Sequence, residues 1–157
     1  MKNDTSLPQR AHPVHAPNLE RWNQPTVIFL TVCTKGHESV LASDGMHRFL
    51  VEAWNGARQW VVGRYLIMPD HIHLFCSPAI HGTESVQRWT AFWKRLVSVR
   101  VPQYKPLWQR DCWDTQLRQI SHYDEKWQYV VMNPVRKKLI QKPGDWPFQG
   151  ELHVLRW

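Results

Sequence analysis

The sequence lacks any apolar run long enough to cross a lipid bilayer, so we expect no contact with a membrane. Cysteine is also scarce: Cys33, Cys76 and Cys112 form no Cys-x-x-Cys pair, and no signal-like segment opens the chain. These absences argue against a disulfide-bonded secreted protein and predict a cytoplasmic one. Because Cys33 and Cys76 lie within apolar runs, we expect buried, unreactive thiols there.

Acidic residues are in short supply as well. The chain has 13 Asp and Glu against 20 Lys and Arg, a formal net charge of +7 among 157 residues, and a pI of about 9.6. Such a surface attracts polyanions, and nucleic acids above all. The length fits a single domain, expected over residues 26–157. Residues 1–25, which show no apolar periodicity, predict a flexible N-terminal arm.

Tryptophan, by contrast, is abundant, with ten residues. Several alternate with cations, at Arg88-Trp89, Trp93-Lys94-Arg95 and Trp108-Gln109-Arg110. Proteins that bind unpaired nucleic acids use this mixture, because cations neutralise phosphates while flat rings stack on bases. Since tryptophan is largely buried on average, we expect only about two or three of the rings to touch a ligand.

The apolar pattern predicts alternating strands and helices. Runs of β-branched and aromatic residues predict strands at 26–34, 60–68 and 71–76, and a weaker alternation predicts a fourth at 107–118. Helical spacing begins at Ser43 or Asp44, at Val86 and at His122. This order predicts an α+β fold, a ferredoxin-like split βαβ sandwich. We expect a four- to five-stranded antiparallel sheet with helices on one face, and a further C-terminal helix.

The pair His71-Ile72-His73 follows a predicted turn at Pro69-Asp70. Side chains alternate across a strand, so the two imidazoles point to one face and can bind one divalent cation. Taken alone, the pair is a weak signal that favours hydrogen-bonded structural histidines over metal ligands. Downstream, Tyr129 and Asn133 are four residues apart and would project from one helical face. Pro134 predicts that this helix kinks or ends around Asn133.

Two segments together resemble a known family. They are Met68-Pro69-Asp70-His71-Ile72-His73-Leu74 and Tyr129-x-x-x-Asn133-Pro134-Val135-Arg136-Lys137. The combination is similar to the single-strand transposases with a His-hydrophobic-His (HUH) motif, and within them to the REP-associated tyrosine transposases. The likeness runs from about Thr26 to Phe148 and includes Trp108-Gln109-Arg110 and Asp145-Trp146-Pro147-Phe148.

The resemblance implies a metal-dependent endonuclease and strand transferase for single-stranded DNA that contains hairpins. It implies that His71 and His73 bind a divalent metal, Mg²⁺ or Mn²⁺, with Asn133 as a third ligand. Imidazole and oxygen donors suit either cation. It also implies that Tyr129 is the catalytic nucleophile and forms a 5′-phosphotyrosyl intermediate. Both a monomer and a homodimer stay open.

Basic and aromatic residues near these segments are the predicted DNA contacts, with a solvated charged face as the alternative for each. The predicted set is Arg88, Lys94, Arg95, Arg100, Trp108, Arg110, Arg136, Lys137 and Lys138. Sequence recognition is expected from the arm or from loops near Trp108. The same charge and aromatic content would serve a non-catalytic binder of single-stranded DNA or RNA hairpins, which is the alternative function.

One position departs from the family pattern. Many relatives carry a histidine after an acidic residue that follows the tryptophan-rich strand, whereas here Asp114 is followed by Thr115. This chain therefore lacks that imidazole. The sequence leaves open whether His122 replaces it in space.

Overall fold

A computed structural model describes residues 26–79 and 84–156, so the predicted arm over residues 1–25 lies outside the described residues. The strands and helices follow the predicted order with small changes at their ends. The strands are β1 (Val27–Cys33), β2 (Trp60–Ile67), β3 (His71–Pro78), β4 (Trp113–Leu117) and β5 (Gln149–Glu151). The helices are α1 (Asp44–Gly56), α2 (Val86–Ser98), α3 (Ile120–Val131) and the short α4 (Asn133–Arg136).

The five strands form one sheet in the order β4-β1-β3-β2-β5, and every neighbouring pair is antiparallel. The predicted α+β ferredoxin-like fold is confirmed. The fourth strand is shorter than the predicted 107–118, since the continuous ladder with β1 covers Trp113–Leu117. Before it, the Gln109 amide donates to the Cys33 carbonyl, and the Lys35 amide donates to the Leu107 carbonyl. Trp108 forms just an isolated bridge to Thr34.

One face of the sheet carries the larger core, because α1 and α2 pack against it. The alternating positions Ile28, Leu30 and Val32 of β1 point into this core, together with rings from both helices, among them Trp54 and Trp89. Ser43 and Ser85 cap the two helices, and their side chains accept hydrogen bonds from the amides of Met46 and Arg88. The helices predicted on one face are therefore α1 and α2.

The opposite face, here called the site face, is covered by α3. Tyr123 packs there with Val27, Phe75 and Leu117. Val130 packs further along with a second group, Leu66, Met68 and Trp146. Because strand residues alternate between faces, His71 and His73 share the site face with Phe75, whereas Ile72 and Leu74 point into the larger core.

The three cysteines are buried free thiols, as the sequence predicts for Cys33 and Cys76. Burial raises the pKa of Cys33 to about 11 and that of Cys112 to about 12. The pKa of Cys76 is raised well above its usual range for the same reason. Thiolates are therefore disfavoured at all three positions. In the part of the chain that the structure describes, none of the helices has the length and apolar character that a membrane crossing requires.

Candidate active site and nucleic-acid interface

The two predicted metal-binding imidazoles lie side by side on the site face. His71 is 5% exposed and His73 is 9% exposed, and their ring centroids are 4.7 Å apart at an interplanar angle of 78°. Their strand, β3, lies inside the sheet between β1 and β2, so the backbone beneath them is held on both sides. The pair is thus rigidly mounted, which suits a site that must hold a ligand in fixed geometry.

Asn133 joins this pair from the opposite direction. Its Nδ2 lies 3.2 Å from Nε2 of His71 and 3.2 Å from Nε2 of His73. The approach depends on a break in the helix: α3 ends at Val131, Met132 adopts φ −82° and ψ −5°, and α4 restarts at Asn133 with Pro134 in its first turn. The helix break predicted around Asn133 is therefore confirmed.

The far nitrogens of both imidazoles are engaged by neighbouring side chains. Nδ1 of His71 lies 2.7 Å from Oδ1 of Asp70, and Nδ1 of His73 lies 2.9 Å from Oγ1 of Thr31. An N–H directed at a carboxylate places the proton of neutral His71 on Nδ1 and leaves Nε2 with a lone pair. The same tautomer of His73 leaves a lone pair on Nε2, which accepts a hydrogen bond from the Asn133 side-chain amide. Both lone pairs thus converge on Asn133.

Protonation is strongly disfavoured at the centre of this arrangement. Burial, followed by the charges of His71, Lys126 and Arg136, lowers the pKa of His73 to about 3. A hydrogen bond from His71 lowers the pKa of Asp70 below its usual range. A neutral imidazole and an ionised partner carboxylate are the forms that metal-binding histidines need.

Asn133 places a side-chain amide beside the two imidazoles, where a third metal ligand would lie. Among residues 26–79 and 84–156, no group of three or more His, Cys, Asp or Glu side chains is arranged to hold a metal ion. A cation at His71 and His73 therefore needs a donor of another type. The carbonyl oxygen of a side-chain amide is such a donor.

Tyr129 lies one helical turn before Asn133 and is open to solvent. Its side chain is 45% exposed. The guanidinium carbon of Arg136 lies 4.0 Å from the phenol ring centroid, and Nη1 of Arg136 donates to the Tyr129 carbonyl at 2.8 Å. A partner molecule can therefore reach the phenol, which has a cation beside it.

Lys126 is a cation of the site that is absent from the predicted contacts. Its ammonium lies 5.1 Å from the ring centroid of Phe29, and that ring stacks on His73 with centroids 5.4 Å apart at 17°. The sequence carries a signal for it, because Lys126 precedes Tyr129 by three residues and Asn133 by seven, which is one face of a helix.

The predicted DNA contacts divide between two sides of the sheet. Arg136, Lys137 and Lys138 are exposed directly after the Asn133 turn, as a contact near the site requires. Arg88 and Arg95 are exposed too, but they lie on α2, which packs on the face opposite to the imidazoles. The α2 cations are therefore not brought to the site.

Three of the predicted DNA contacts instead donate hydrogen bonds within the protein. Lys94 is buried rather than exposed, and its Nζ donates to the carbonyls of Gln109 and Arg110 at 2.7 and 3.4 Å. Nε1 of the half-buried Trp108 donates to the Lys94 carbonyl at 3.0 Å. The Lys94 prediction is wrong, because its ammonium anchors the segment before β4. Arg110 itself is exposed.

Arg100 is the third, and its partner is on α1. Its Nη1 donates to Oε2 of Glu52 at 3.1 Å, and its guanidinium carbon lies 4.3 Å from the ring centroid of Phe49. This places Arg100 on the outer side of the α1–α2 layer, away from the imidazoles.

Neither Thr115 nor His122 supplies the imidazole that the family pattern includes. Thr115 is exposed on β4, where it pairs with Phe29. His122 is exposed in the first turn of α3, while Asn133 lies just beyond the other end of that helix. His122 and Asn133 are about 16 Å apart along the axis at 1.5 Å per residue. His122 therefore does not bring an imidazole to the His71 and His73 pair.

Comparison with known proteins confirms the resemblance that the motifs predict. The chain is 23% identical over 91 residues to the REP-associated tyrosine transposase of Escherichia coli (strain K12), a match covering 58% of this chain. It thereby spans about half, 54%, of that protein's length. No family model matches the chain.

Two solved structures share the fold. A REP-associated tyrosine transposase bound to a REP hairpin superposes with a TM-score of 0.70 and 20% identity, over 86% of this chain and 82% of that one. A candidate transposase from Deinococcus radiodurans superposes with a TM-score of 0.53 and 16% identity, over 75% of this chain and 97% of that one. At these identities the likeness establishes the architecture.

Proposed function

We propose that this protein is a transposase-like enzyme that nicks and rejoins single-stranded DNA at hairpins, with a divalent metal and Tyr129 as the nucleophile. The observation that carries the proposal is the approach of Asn133 to Nε2 of both His71 and His73, at 3.2 Å each. Hairpin DNA as the partner is supported by the similarity to REP-associated tyrosine transposases, one of which is solved with a REP hairpin.

His71, His73 and Asn133 would hold the cation, Mg²⁺ or Mn²⁺. The residues fit this role, because the Nε2 atoms of both imidazoles face the Asn133 amide. The Nδ1 atoms of the same rings are hydrogen-bonded to Thr31 and Asp70. A side-chain amide can turn its oxygen toward a cation, and its two ends are told apart only by their hydrogen-bond partners. When bound, the metal would withdraw charge from the phosphate that is attacked.

Tyr129 would carry out the covalent step. Its phenol oxygen attacks the phosphorus of a phosphodiester, the bond from phosphorus to the 3′ oxygen breaks, and the phenol proton is lost while the 3′ oxygen gains one. The products are a 5′-phosphotyrosyl link and a free 3′-hydroxyl. Because one phosphodiester replaces another, a 3′-hydroxyl can reverse the step without an energy source. The Arg136 guanidinium, whose carbon lies 4.0 Å from the phenol ring centroid, would lie beside the attacked phosphate.

A covalent-adduct experiment tests this proposal. We expect the protein, mixed with end-labelled hairpin single strands and Mn²⁺, to give a protein–DNA adduct that survives denaturation. EDTA should prevent the adduct, and peptide mass spectrometry should place it on Tyr129. A hairpin panel that binds tightly yet yields no adduct at any Mn²⁺ concentration would contradict the enzyme and favour the non-catalytic binder.

The carboxylate behind His71 gives a prediction for metal affinity. Asp70→Ala removes both a negative charge and the acceptor 2.7 Å from Nδ1 of His71, so we expect the Mn²⁺ dissociation constant to rise by about 10- to 100-fold. Isothermal titration calorimetry measures it without DNA. Glu52→Ala, which removes a carboxylate bonded to Arg100 on the other side of the sheet, is the control. Equal affinities for the two variants would refute a supporting role for Asp70.

A further inference from the structure

One corner of the site face is only partly covered. The first half of α3 packs with Val27 and Leu117, and the second half packs with Leu66 and Met68 of β2 and its flank. The β4 end that carries Trp113 belongs to neither group. Thr31, between Trp113 and His73, is buried, but Trp113 is half-buried and Thr115 is exposed. The strip of the site face along β4, next to the imidazoles, is therefore partly accessible.

Trp113 points into this strip. Its β4 position pairs with Thr31, and Thr31 pairs with His73 on the next strand. Paired residues point to the same face, and the Thr31 hydroxyl is bonded to the His73 imidazole, so the Trp113 indole lies on the site face. Two strand spacings separate it from His73, roughly 10 Å.

Trp113 differs from the other tryptophans. Eight of the ten lie within the described residues, because Trp22 and Trp157 fall outside them. Seven of these eight pack against another aromatic ring, as Trp93 does with Trp54, Trp89 and Trp108. In residues 26–79 and 84–156, no aromatic ring partner is found for the half-buried Trp113. Its half-buried indole is therefore not stacked on another ring in that part of the chain.

A cation lies over the middle of the strip. The Lys126 ammonium is 5.1 Å from the Phe29 ring centroid, and Phe29 pairs with the exposed Thr115 of β4. Across residues 26–79 and 84–156, no carboxylate forms an ion pair with Lys126. The neighbouring acid on β4, Asp114, alternates to the other face, where Gln87 donates to it. The strip therefore combines the positive charge of Lys126 with the Trp113 indole, which stacks on no other ring of the described residues.

We propose that Trp113, Thr115, Phe29 and Lys126 form a binding lane for the unpaired nucleotides of single-stranded DNA next to the phosphate that Tyr129 attacks. In this lane the Trp113 indole stacks on a base and the Lys126 ammonium binds a phosphate, the combination typical of single-strand binding. The lane rests on the proposed function, since it is continuous with that site. Its roughly 10 Å span lets a nucleotide adjacent to the attacked phosphate reach the indole.

A crosslinking experiment that leaves the four residues of the lane unchanged is the first test. The Tyr129→Phe protein, which holds DNA without cleaving it, is irradiated with a hairpin that carries 5-iodouracil in its unpaired flank. Trypsin separates the candidates: residues 111–118 contain Trp113 as their only aromatic residue, while residues 101–110 contain Tyr104 and Trp108. We expect the crosslink in 111–118. A crosslink confined to 101–110 overturns the lane.

Matched variants in the same background give the second measurement. Trp113→Leu should weaken about tenfold the binding of a hairpin with an unpaired flank, while binding of a blunt hairpin is unaffected. Trp113→Phe should largely restore binding of the flanked hairpin.

The salt dependence of binding tests the cation. Lys126→Gln should reduce the slope of log affinity against log salt by about 0.7, whereas Arg88→Gln on α2 should not. An unchanged ratio of flanked to blunt affinity in Trp113→Leu refutes the lane. Failure of the wild type to bind either hairpin refutes the proposed function instead.

Discussion

Tyr129→Phe is expected to abolish the covalent protein–DNA adduct and strand transfer. Phenylalanine keeps the ring but lacks the oxygen that would bond to phosphorus, so nicking should fall by a factor of the order of 10³ or more. Hairpin affinity should stay within about threefold, because a single exposed hydroxyl is lost. Denaturing gel electrophoresis of end-labelled DNA measures the first effect, and fluorescence anisotropy measures the second.

Tyr104→Phe is the matched control, since it removes a phenol oxygen from a half-buried tyrosine that packs beside the larger core. It should leave nicking unchanged. If cleavage persists at the wild-type rate in Tyr129→Phe, the nucleophile is not this phenol. A metal-activated water would then be the candidate, because it needs no tyrosine oxygen.

His71→Ala should raise the Mn²⁺ dissociation constant at least about 100-fold and remove nicking, with hairpin binding retained. One of two imidazole donors is lost, and the Asp70 carboxylate loses the hydrogen bond that it accepts from His71. Titration calorimetry without DNA measures the metal affinity, so the result does not depend on catalysis. His122→Ala removes an exposed imidazole near the start of α3 and should change neither quantity.

Since His71 is buried, its replacement could also weaken the fold, and a second pair of variants separates the two effects. Asn133→Asp keeps an oxygen donor and should preserve or increase Mn²⁺ affinity, whereas Asn133→Leu should lose it. Thermal unfolding of all variants gives their stability. Loss of metal binding only in variants whose melting temperature falls would identify structural histidines and contradict the metal site.

The fold was predictable from sequence because its signals are local. The β-branched runs and helical spacings reflect burial on one face of each element, and their order restricts the topology to few choices. The fourth strand was less predictable. The segment before it is held by the Lys94 ammonium through the carbonyls of Gln109 and Arg110. Such a contact with a side chain distant in sequence leaves no local pattern.

The candidate site was predictable in part for the same reason. Spacing alone places His71 and His73 on one face, and places Tyr129 a turn before Asn133. The cations were harder to assign, because charge on a helix indicates exposure without indicating which side of the sheet is exposed. Arg88, Arg95 and Arg100 were therefore predicted as DNA contacts, although α2 packs on the face opposite to the imidazoles. Lys126, which reaches over Phe29, was overlooked.

The sequence by itself determined the strand that pairs the imidazoles, the helix break before Pro134 and the excess of positive charge, since each depends on residues close together in the chain. Tertiary structure alone decided that Asn133 meets both imidazoles, that Thr31 holds the far nitrogen of His73, and that Trp113 lies on the same face. These contacts join strands and helices that are distant in sequence. The Asn133 contact exists because α3 crosses the sheet face opposite to α1 and α2, and the other two depend on the pairing of β1 with β3 and β4.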